Sequence, residues 1–429
     1  MPRLGLGSGV GVNVGVMIGT GVFVSAGFMA DTIPPAGILL AWIVGGLVSM
    51  AGARAYAAVA ALIPRSGGEY RYLTDLMHPW LGTLAGWTSL LAGFVAPIAS
   101  SAATAGPFAA TLFHGLDPTL VGAAIIVGIT LVHAFDLGLS RVVQDGLAIV
   151  KVALIAGFIA VGLVFGSTGW PDWSPRRAPE GGLVGNFMAQ LIFVMYAYTG
   201  WNSAAYASEQ FEDPRRTVPR SMVIAAAAVM LIYLLVNWVL VANVDAGIVA
   251  SFLTGDAARI TLGHLVTERL LGELGGKVMS ILVVVVLVSS VSAMTMVGPR
   301  IYVEMARDGY LPRVFIGKDG RPPLFSVLLQ SGLALLLLAT HTLAELIGNV
   351  TVLLTLTSAL TAASLFRVQL SSRWTEKPGW LPLAAAAVYV AMSIWMLLAV
   401  FIASATTLIW PAIVVVASSV AYLLSRRRL

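Results

Sequence analysis

The stretch VGVMIGTGVFVSAG, Val14–Gly27, interrupts the helical pattern of the first apolar segment of the chain. It places Gly19 and Gly21 on either side of a threonine, near the middle of that segment. Glycine weakens a helix and leaves neighbouring peptide groups without helical partners. Unwinding at Ile18–Gly21 therefore frees amides at the start of the next half-helix, where the positive dipole end can hold a carboxylate. The expected donors are the backbone N–H groups of Thr20, Gly21 and Val22.

The composition indicates a membrane protein. Of the 429 residues, 58% are hydrophobic and 10% are charged, and the mean hydropathy is +0.91. Soluble proteins carry about 25% charged residues. Apolar runs long enough to cross a bilayer as helices recur along the chain. We predict an all-α membrane protein with twelve transmembrane helices, with a turn near Ser404 between the last two, at residues 5–30, 36–62, 82–113, 118–135, 142–166, 185–208, 218–243, 276–305, 322–342, 345–367, 381–402 and 405–424.

Several classes of site and partner are not expected. The chain has no cysteine, which rules out a disulfide-linked ancillary subunit and a thiolate metal site. The five histidines are scattered, so we predict no metal and no cofactor. The formal net charge of +5 suits an anionic membrane leaflet rather than a nucleic acid. With a cytoplasmic N-terminus, 18 cations fall in inside segments and 5 in outside loops, which places both termini in the cytoplasm.

A second interruption lies in the sixth segment, at YAYTGWN, Tyr196–Asn202. Gly200 lies about 15 residues from the start of its helix, as Gly19 does in the first helix, which enters from the opposite side. Paired glycine interruptions in two halves of a chain point to the binding site of a transporter. Carbonyls freed near Ala197–Tyr198 suit an ammonium, so the two breaks together describe an α-amino acid. Alternatively, the glycines only let helices pack closely.

Four motifs carry a resemblance to a known family. GVMIGTGVFVSAG resembles the first-helix signature of amino acid permeases in the amino acid–polyamine–organocation superfamily, with Thr20 in place of the usual serine and Ala26 in place of proline. The nearest branch is the L-type and cationic amino acid transporters. The other motifs are IPRSGGEYRYL after helix two, YAYTGWNSAAYASEQFEDPRRTVPRS at helix six and RIYVEMARDGYLP after helix eight.

The resemblance implies the architecture of a secondary transporter. It predicts a five-plus-five inverted repeat with discontinuous helices one and six and alternating access. The first repeat would span residues 1–166, the second 185–367, and two additional helices 381–424. We expect a multi-pass protein of the bacterial cytoplasmic (inner) membrane, with an amino acid substrate and the lipid bilayer as partners.

The resemblance also implies site residues. Tyr196 takes the place of the aromatic lid, Ala197 lends its carbonyl, and Asn202 matches a polar residue beside the site. Thr199 stands where the branch often has glycine, and its larger side chain favours small to medium neutral amino acids. The full predicted substrate set is Ile18, Gly19, Thr20, Gly21, Val22, Tyr196, Ala197, Tyr198, Thr199 and Asn202.

Lys151 is a cation inside helix five, too deep for its stem to reach the membrane surface with ease, and it should therefore face the protein interior. In sodium-coupled relatives a cation lies between helices one, five and eight, and a helix-five lysine replaces it in this branch. Lys151 should then bond carbonyls near Gly15 or Ile18 and the hydroxyl of Ser289 or Ser290. We expect sodium independence, with proton symport or amino acid exchange. A fixed strut without a role in the transport cycle is the alternative.

The helix-two signature Y-A-E-L of the family lacks its glutamate here, since Ala58 follows Ala57. Arg54 lies nearby. We predict that it is a cytoplasmic gate partner of Glu209 or of another inner carboxylate. Alternatively, its charge extends to the membrane interface.

Three further functions remain as alternatives. A polyamine or organocation carrier usually needs an acidic pocket residue, and none is expected at the membrane midplane. A non-transporting amino acid sensor usually needs a signalling domain. An intramembrane enzyme needs converging acids, histidines or metal ligands, and the sequence indicates none.

Overall fold

The computed structural model describes residues 4–113, 115–135, 137–167, 169–171, 174, 182–251, 255–317, 323–403 and 409–426. Within these ranges all regular structure is helical, apart from an isolated bridge between Leu4 and Phe211. The prediction of an all-α protein is confirmed. The helices are α1 (Leu6–Met17), α2 (Thr20–Ala30), α3 (Pro35–Leu62), α4 (Gly68–Leu76), α5 (Pro79–Thr88), α6 (Ala96–Leu112), α7 (Pro118–Phe135), α8 (Leu137–Phe165), α9 (Gly182–Ala197), α10 (Pro214–Ala242), α11 (Ala246–Ser251), α12 (Asp256–Ile260), α13 (Leu262–Val297), α14 (Pro299–Arg307), α15 (Leu324–Thr340), α16 (Leu343–Leu370), α17 (Trp380–Ala403) and α18 (Ile409–Arg426).

Many of these helices are long enough and apolar enough to cross a bilayer. Large apolar side chains, such as Leu120, Val164 and Ile402, lie exposed on the outer helices, as expected for surfaces in lipid. Among the described residues, seven segments meet the full span criterion, namely Leu6–Ala30, Pro35–Leu62, Pro79–Leu112, Pro214–Ala242, Leu262–Arg307, Leu343–Leu370 and Trp380–Ile402. Shorter apolar helices lie at Pro118–Ala134, Ile149–Phe165, Val184–Ala197, Leu324–Thr340 and Ile409–Ser425.

The two halves of the first segment occupy the centre of the protein. Helix α1 packs against α10 and α13, and α2 packs against α9 and α13. Helix α8 lies along α13, while α3 lies along α10 and contacts α9. The amphipathic helix α4 packs against α5 and α16. Both interrupted segments are therefore enclosed by other helices, as irregular backbone at membrane depth requires.

Several segment boundaries differ from the sequence expectation. The sixth segment, predicted over 185–208 with an interruption at Tyr196–Asn202, ends its α-helix at Ala197 and resumes as a 3₁₀ helix at Ser203–Gln210. The third contains a π-helical stretch, Ser89–Val95, between α5 and α6. The eighth begins earlier than predicted, at Leu262, with a non-helical glycine at Gly272. The turn predicted near Ser404 lies outside the described residues.

Candidate functional site

The first segment breaks between α1 and α2. Ile18 has an extended backbone (φ −76°, ψ 98°), and Gly19 lies outside the helical region (φ −144°, ψ −146°). Helix α2 starts at Thr20, so its first free N–H groups belong to the residues predicted to hold a carboxylate. The interruption predicted from the glycines is therefore present at the expected position.

Lys151 satisfies the carbonyls that this break exposes. Its Nζ donates to the carbonyl oxygens of Gly15 at 2.9 Å and Ile18 at 2.7 Å, and to Ser290 Oγ at 2.9 Å. Ser290 Oγ in turn lies 2.8 Å from the Ile18 carbonyl oxygen, to which it donates. The side chain is fully buried. Of the two serines considered, Ser290 makes the contact, while Ser289 Oγ has no hydrogen-bond partner among the residues described.

The second interruption follows α9. The α-helix ends at Ala197, and a turn at residues 198–202 leads into the 3₁₀ helix. Gly200 has φ +106°, which side-chain-bearing residues rarely adopt. A Cβ there would lie 2.9 Å from Val16 Cγ1 and 3.3 Å from Met17 N. Glycine is thus required both by the turn and by the contact with the end of α1.

Tyr233 of α10 joins the two breaks, a role that was not predicted from the sequence. Its hydroxyl lies 2.6 Å from the Met17 carbonyl oxygen and 3.0 Å from that of Ala197. The side chain is fully buried, and its ring contacts those of Trp42 and Tyr198. The Ala197 carbonyl expected to be free for an ammonium therefore already accepts one hydrogen bond, because a buried carbonyl needs a partner.

Hydroxyl pairs connect α6 to both broken segments. Thr20 Oγ1 donates to Ser101 Oγ at 3.2 Å, and the Tyr196 hydroxyl lies 2.5 Å from Ser100 Oγ. All four side chains are buried. Tyr196 therefore lies beside the first turn of α2, as its predicted role as a lid requires.

The amides of α2 do not face open space in this conformation. A Cβ on Gly21 would lie 2.5 Å from both Cα and Cβ of Ala197, so α2 and α9 are in direct backbone contact. Val22 is also buried. Gly21 was predicted to donate its backbone N–H to a carboxylate, whereas in this conformation a close helix–helix approach requires the glycine. The residues expected to donate to a carboxylate, Thr20, Gly21 and Val22, are thus all buried in this conformation.

A cavity lies next to the second break. Its lining includes Val16, Pro97, Thr199, Asn202, Met294 and Thr355, from five different segments. Of the predicted substrate residues, Thr199 and Asn202 face this space, while the Tyr198 hydroxyl donates instead to the Trp42 carbonyl. Thr199 Oγ1 donates to the Tyr196 carbonyl oxygen at 2.7 Å. A small polar or apolar side chain of a ligand would fit this mixed lining.

Glu69 lines the same cavity, and no role was predicted for it from the sequence. Gly67 and Gly68, both with positive φ, turn the chain so that Glu69 lies in the first turn of α4. Its Oε1 accepts hydrogen bonds from Tyr56 Oη at 2.6 Å, Asn202 Nδ2 at 3.1 Å and Ser358 Oγ at 3.0 Å. The expectation of no acidic residue concerned the membrane midplane, and the motif SGGE adds an acidic cavity residue from outside the spanning segments.

The predicted gate pair does not form. The ion pairs within the described part of the chain include neither Arg54 nor Glu209. Glu209 is exposed, and its backbone N–H donates to Ser66 Oγ. Instead, the nearly buried Arg71 of α4 lies 2.8 Å from Asp308, just beyond α14. From the sequence, Arg71 was counted only among the cations that set topology.

Within the ranges given above, no group of three His, Asp or Glu side chains comes together that could coordinate a metal ion. The polar groups of the site are backbone amides and carbonyls, hydroxyls, one amide side chain, Lys151 and Glu69. Such a set suits a small zwitterion held by hydrogen bonds.

Comparison with known proteins agrees with this site. The family model described as "Amino acid permease" matches residues 4–424. Large neutral amino acids transporter small subunit 2 of Homo sapiens is 30% identical over 395 residues, which are 88% of this chain and 70% of that protein. The b(0,+)-type amino acid transporter 1 of Mus musculus is 31% identical over 55% of this chain and 50% of its own. Serine/threonine exchanger SteT of Bacillus subtilis (strain 168) is 26% identical over 76% of this chain and 74% of its own.

The family match extends over both interrupted segments and over the helices that surround them. The relatives given above are named transporters and exchangers of amino acids, and not enzymes. The chain is therefore a multi-pass membrane transporter of amino acids that belongs to the amino acid permease family.

Proposed function

We propose that the protein is a sodium-independent secondary transporter of small to medium neutral α-amino acids that works by alternating access. Proton symport or exchange of one amino acid for another would drive it. The observation that carries the proposal is the pair of helix breaks, which abut at Gly200 and Val16 and share the hydroxyl of Tyr233.

The substrate would be held at its two charged ends. Its carboxylate would accept from the amides of Thr20, Gly21 and Val22, and its ammonium would donate to carbonyls near Ala197. Access to these groups requires α2 and α9 to separate at the contact between Gly21 and Ala197. The present conformation is thus one in which the carboxylate site is closed, and opening of this contact is one step of the transport cycle.

The side chain of the substrate would enter the cavity beside Thr199 and Asn202. A threonine at position 199 limits the depth of that space, which favours short side chains. The name of one relative, which specifies serine and threonine, agrees with this range, whereas the name of another specifies large neutral amino acids.

Sodium independence rests on Lys151. An ammonium has three N–H donors, and Lys151 has three acceptors around it, from α1, from the break and from α13. The Lys151 ammonium is thus a monovalent cation that belongs to the chain itself. It lies where a sodium ion would otherwise hold α1 and α13 together.

The proposed topology has twelve spans. The first five would form one repeat (residues 1–166) and the next five an inverted copy (185–367), with two further helices at 381–424 and both termini in the cytoplasm. The shorter apolar helices would complete the seven longer spans. The excess of cations on one side supports this orientation in a bacterial inner membrane.

An organocation carrier is the second candidate, because the cavity contains an acidic side chain, Glu69. A polyamine has no carboxylate and would leave the α2 amides unused. The two candidates are therefore separated by whether a substrate is still transported after its carboxylate has been removed.

Counterflow in proteoliposomes tests the proposal. Vesicles loaded with unlabelled amino acid should accumulate the labelled compound in sodium-free potassium buffer, while protein-free vesicles should not. Competition by the twenty amino acids, their decarboxylated amines and spermidine identifies the class. Inhibition by neutral amino acids but not by the amines is expected. Inhibition by amines alone, or an absolute need for sodium, would contradict the proposal.

A further inference from the structure

Glu69 is a buried carboxyl group without a cationic partner among the described residues. It is 1% exposed, and the ion pairs found there do not include it. Its Oε1 accepts three hydrogen bonds, while its Oε2 is buried and has no partner in the part of the chain described. A charge buried in this way is costly unless something neutralises it. A proton on Oε2 is the smallest group that does so.

The groups around Glu69 are neutral on every side that the structure describes. The ionisable side chains close enough to feel its charge are tyrosines, namely Tyr56 of α3, Tyr72 of α4, Tyr206 of the 3₁₀ helix and Tyr389 of α17. Helix α16 contributes the hydroxyls of Thr357 and Ser358. Two residues further along α4, Arg71 pairs with Asp308 and Glu304 instead. Burial raises the pKa of Glu69, and the hydrogen bonds from Tyr56 and Ser358 partly offset this rise.

Lys151 is less suited to gaining and losing a proton. Its ammonium donates one hydrogen bond to each of three acceptors, so all three of its N–H groups are engaged. Glu69 differs in that it lines the cavity, from which a proton can arrive through water.

We propose that Glu69 is the proton-binding group of the transport cycle and that its protonation releases the turn that follows α9 in the sixth segment. Charged Glu69 holds Asn202, in the turn after α9, and Ser358, in α16, against α3 and α4. Hydrogen bonds to a charged acceptor are about twice as strong as those to a neutral one. Proton uptake therefore loosens the hold on Asn202 and allows α9 to leave Gly21.

The sign of the pH effect follows from linkage. The inference rests on the proposed function, because opening of the Gly21–Ala197 contact is the step that admits the substrate. If opening is accompanied by protonation of Glu69, then the substrate binds more tightly at low pH, and binding takes up a proton. Above the midpoint, each pH unit should weaken binding by up to about tenfold.

Purified protein in nanodiscs tests this with three variants. Wild type should bind a transported amino acid more tightly as the pH falls, with proton uptake seen by a pH indicator in weak buffer. Glu69→Gln imitates the protonated form, so it should bind at all pH values with the affinity that wild type has in acid, without proton uptake. Lys151→Arg keeps its charge and should retain the pH dependence. Glu376→Gln, at an exposed carboxyl paired with Arg215, should behave as wild type.

Two further variants keep the inference testable if Glu69→Gln does not fold. Tyr56→Phe and Ser358→Ala each remove a donor to the charged carboxylate, so the midpoint should move to higher pH by up to about one unit. Retained pH dependence in Glu69→Gln, an unmoved midpoint in both donor variants, or no proton uptake by wild type would overturn the inference. Absence of any amino acid binding by wild type would instead refute the proposed function.

Discussion

Lys151 provides the residue-scale explanation for a broken helix that is stable inside a membrane protein. The break removes the helical partners of the Gly15 and Ile18 carbonyls, and the lysine replaces them. Each buried polar group left unbonded would cost about 1–3 kcal/mol. The lysine therefore compensates for the break while also joining α1, α8 and α13.

Substitution of Lys151 tests this role. Lys151→Met keeps much of the apolar stem but removes the donor to the Gly15 carbonyl and to Ser290 Oγ and one of the two donors to the Ile18 carbonyl, so we expect counterflow to fall at least tenfold, or about 1.4 kcal/mol. Lys151→Arg should retain more activity because it remains a donor. Lys277→Met, at an exposed lysine paired with Glu273, is the control. Unchanged counterflow in Lys151→Met, with normal expression, would contradict the role.

At the scale of single elements, glycines decide where the two segments break. Gly200 has a left-handed backbone conformation and lies in direct contact with Val16. An alanine there would therefore suffer both backbone strain and a steric clash. We expect Gly200→Ala to lower the free energy of unfolding by about 1–3 kcal/mol. Gly185→Ala in α9 is the matched control, because its Cβ meets no described atom within 4 Å. Thermal unfolding in detergent checks both variants, and equal midpoints would show that the turn does not require glycine.

Features within a single helix could be predicted from the sequence, whereas many contacts between helices could not. Gly19 and Gly200 are visible in the sequence because glycine weakens a helix wherever it falls inside an apolar run. Lys151 is visible because a charge in a membrane helix must face the interior. In contrast, the roles of Tyr233 and Glu69 depend on which helices become neighbours, and neither side chain looks unusual in its own segment. The pairing of Arg54 with Glu209, which is absent from this conformation, likewise depends on which helices become neighbours.

At the scale of the whole molecule, the orientation in the membrane follows from the distribution of cations and can be measured directly. The native chain has no cysteine, so single substitutions give unambiguous labelling. We expect Ser372→Cys to react with a membrane-impermeant maleimide only in inside-out vesicles, and Ala257→Cys only in intact cells or spheroplasts. Both positions are exposed. Reaction of both from the same side would contradict the proposed number of spans between them.

Transport by this molecule requires one binding site formed by the two interrupted segments. Determination of the structure with a neutral amino acid bound, in sodium-free buffer, tests this most directly. We predict density for the carboxylate at the N–H groups of Thr20, Gly21 and Val22, with α2 and α9 moved apart at Ala197 and Lys151 still bonded to Ile18. An amino acid bound elsewhere, or a sodium ion between α1 and α13, would contradict the central claim.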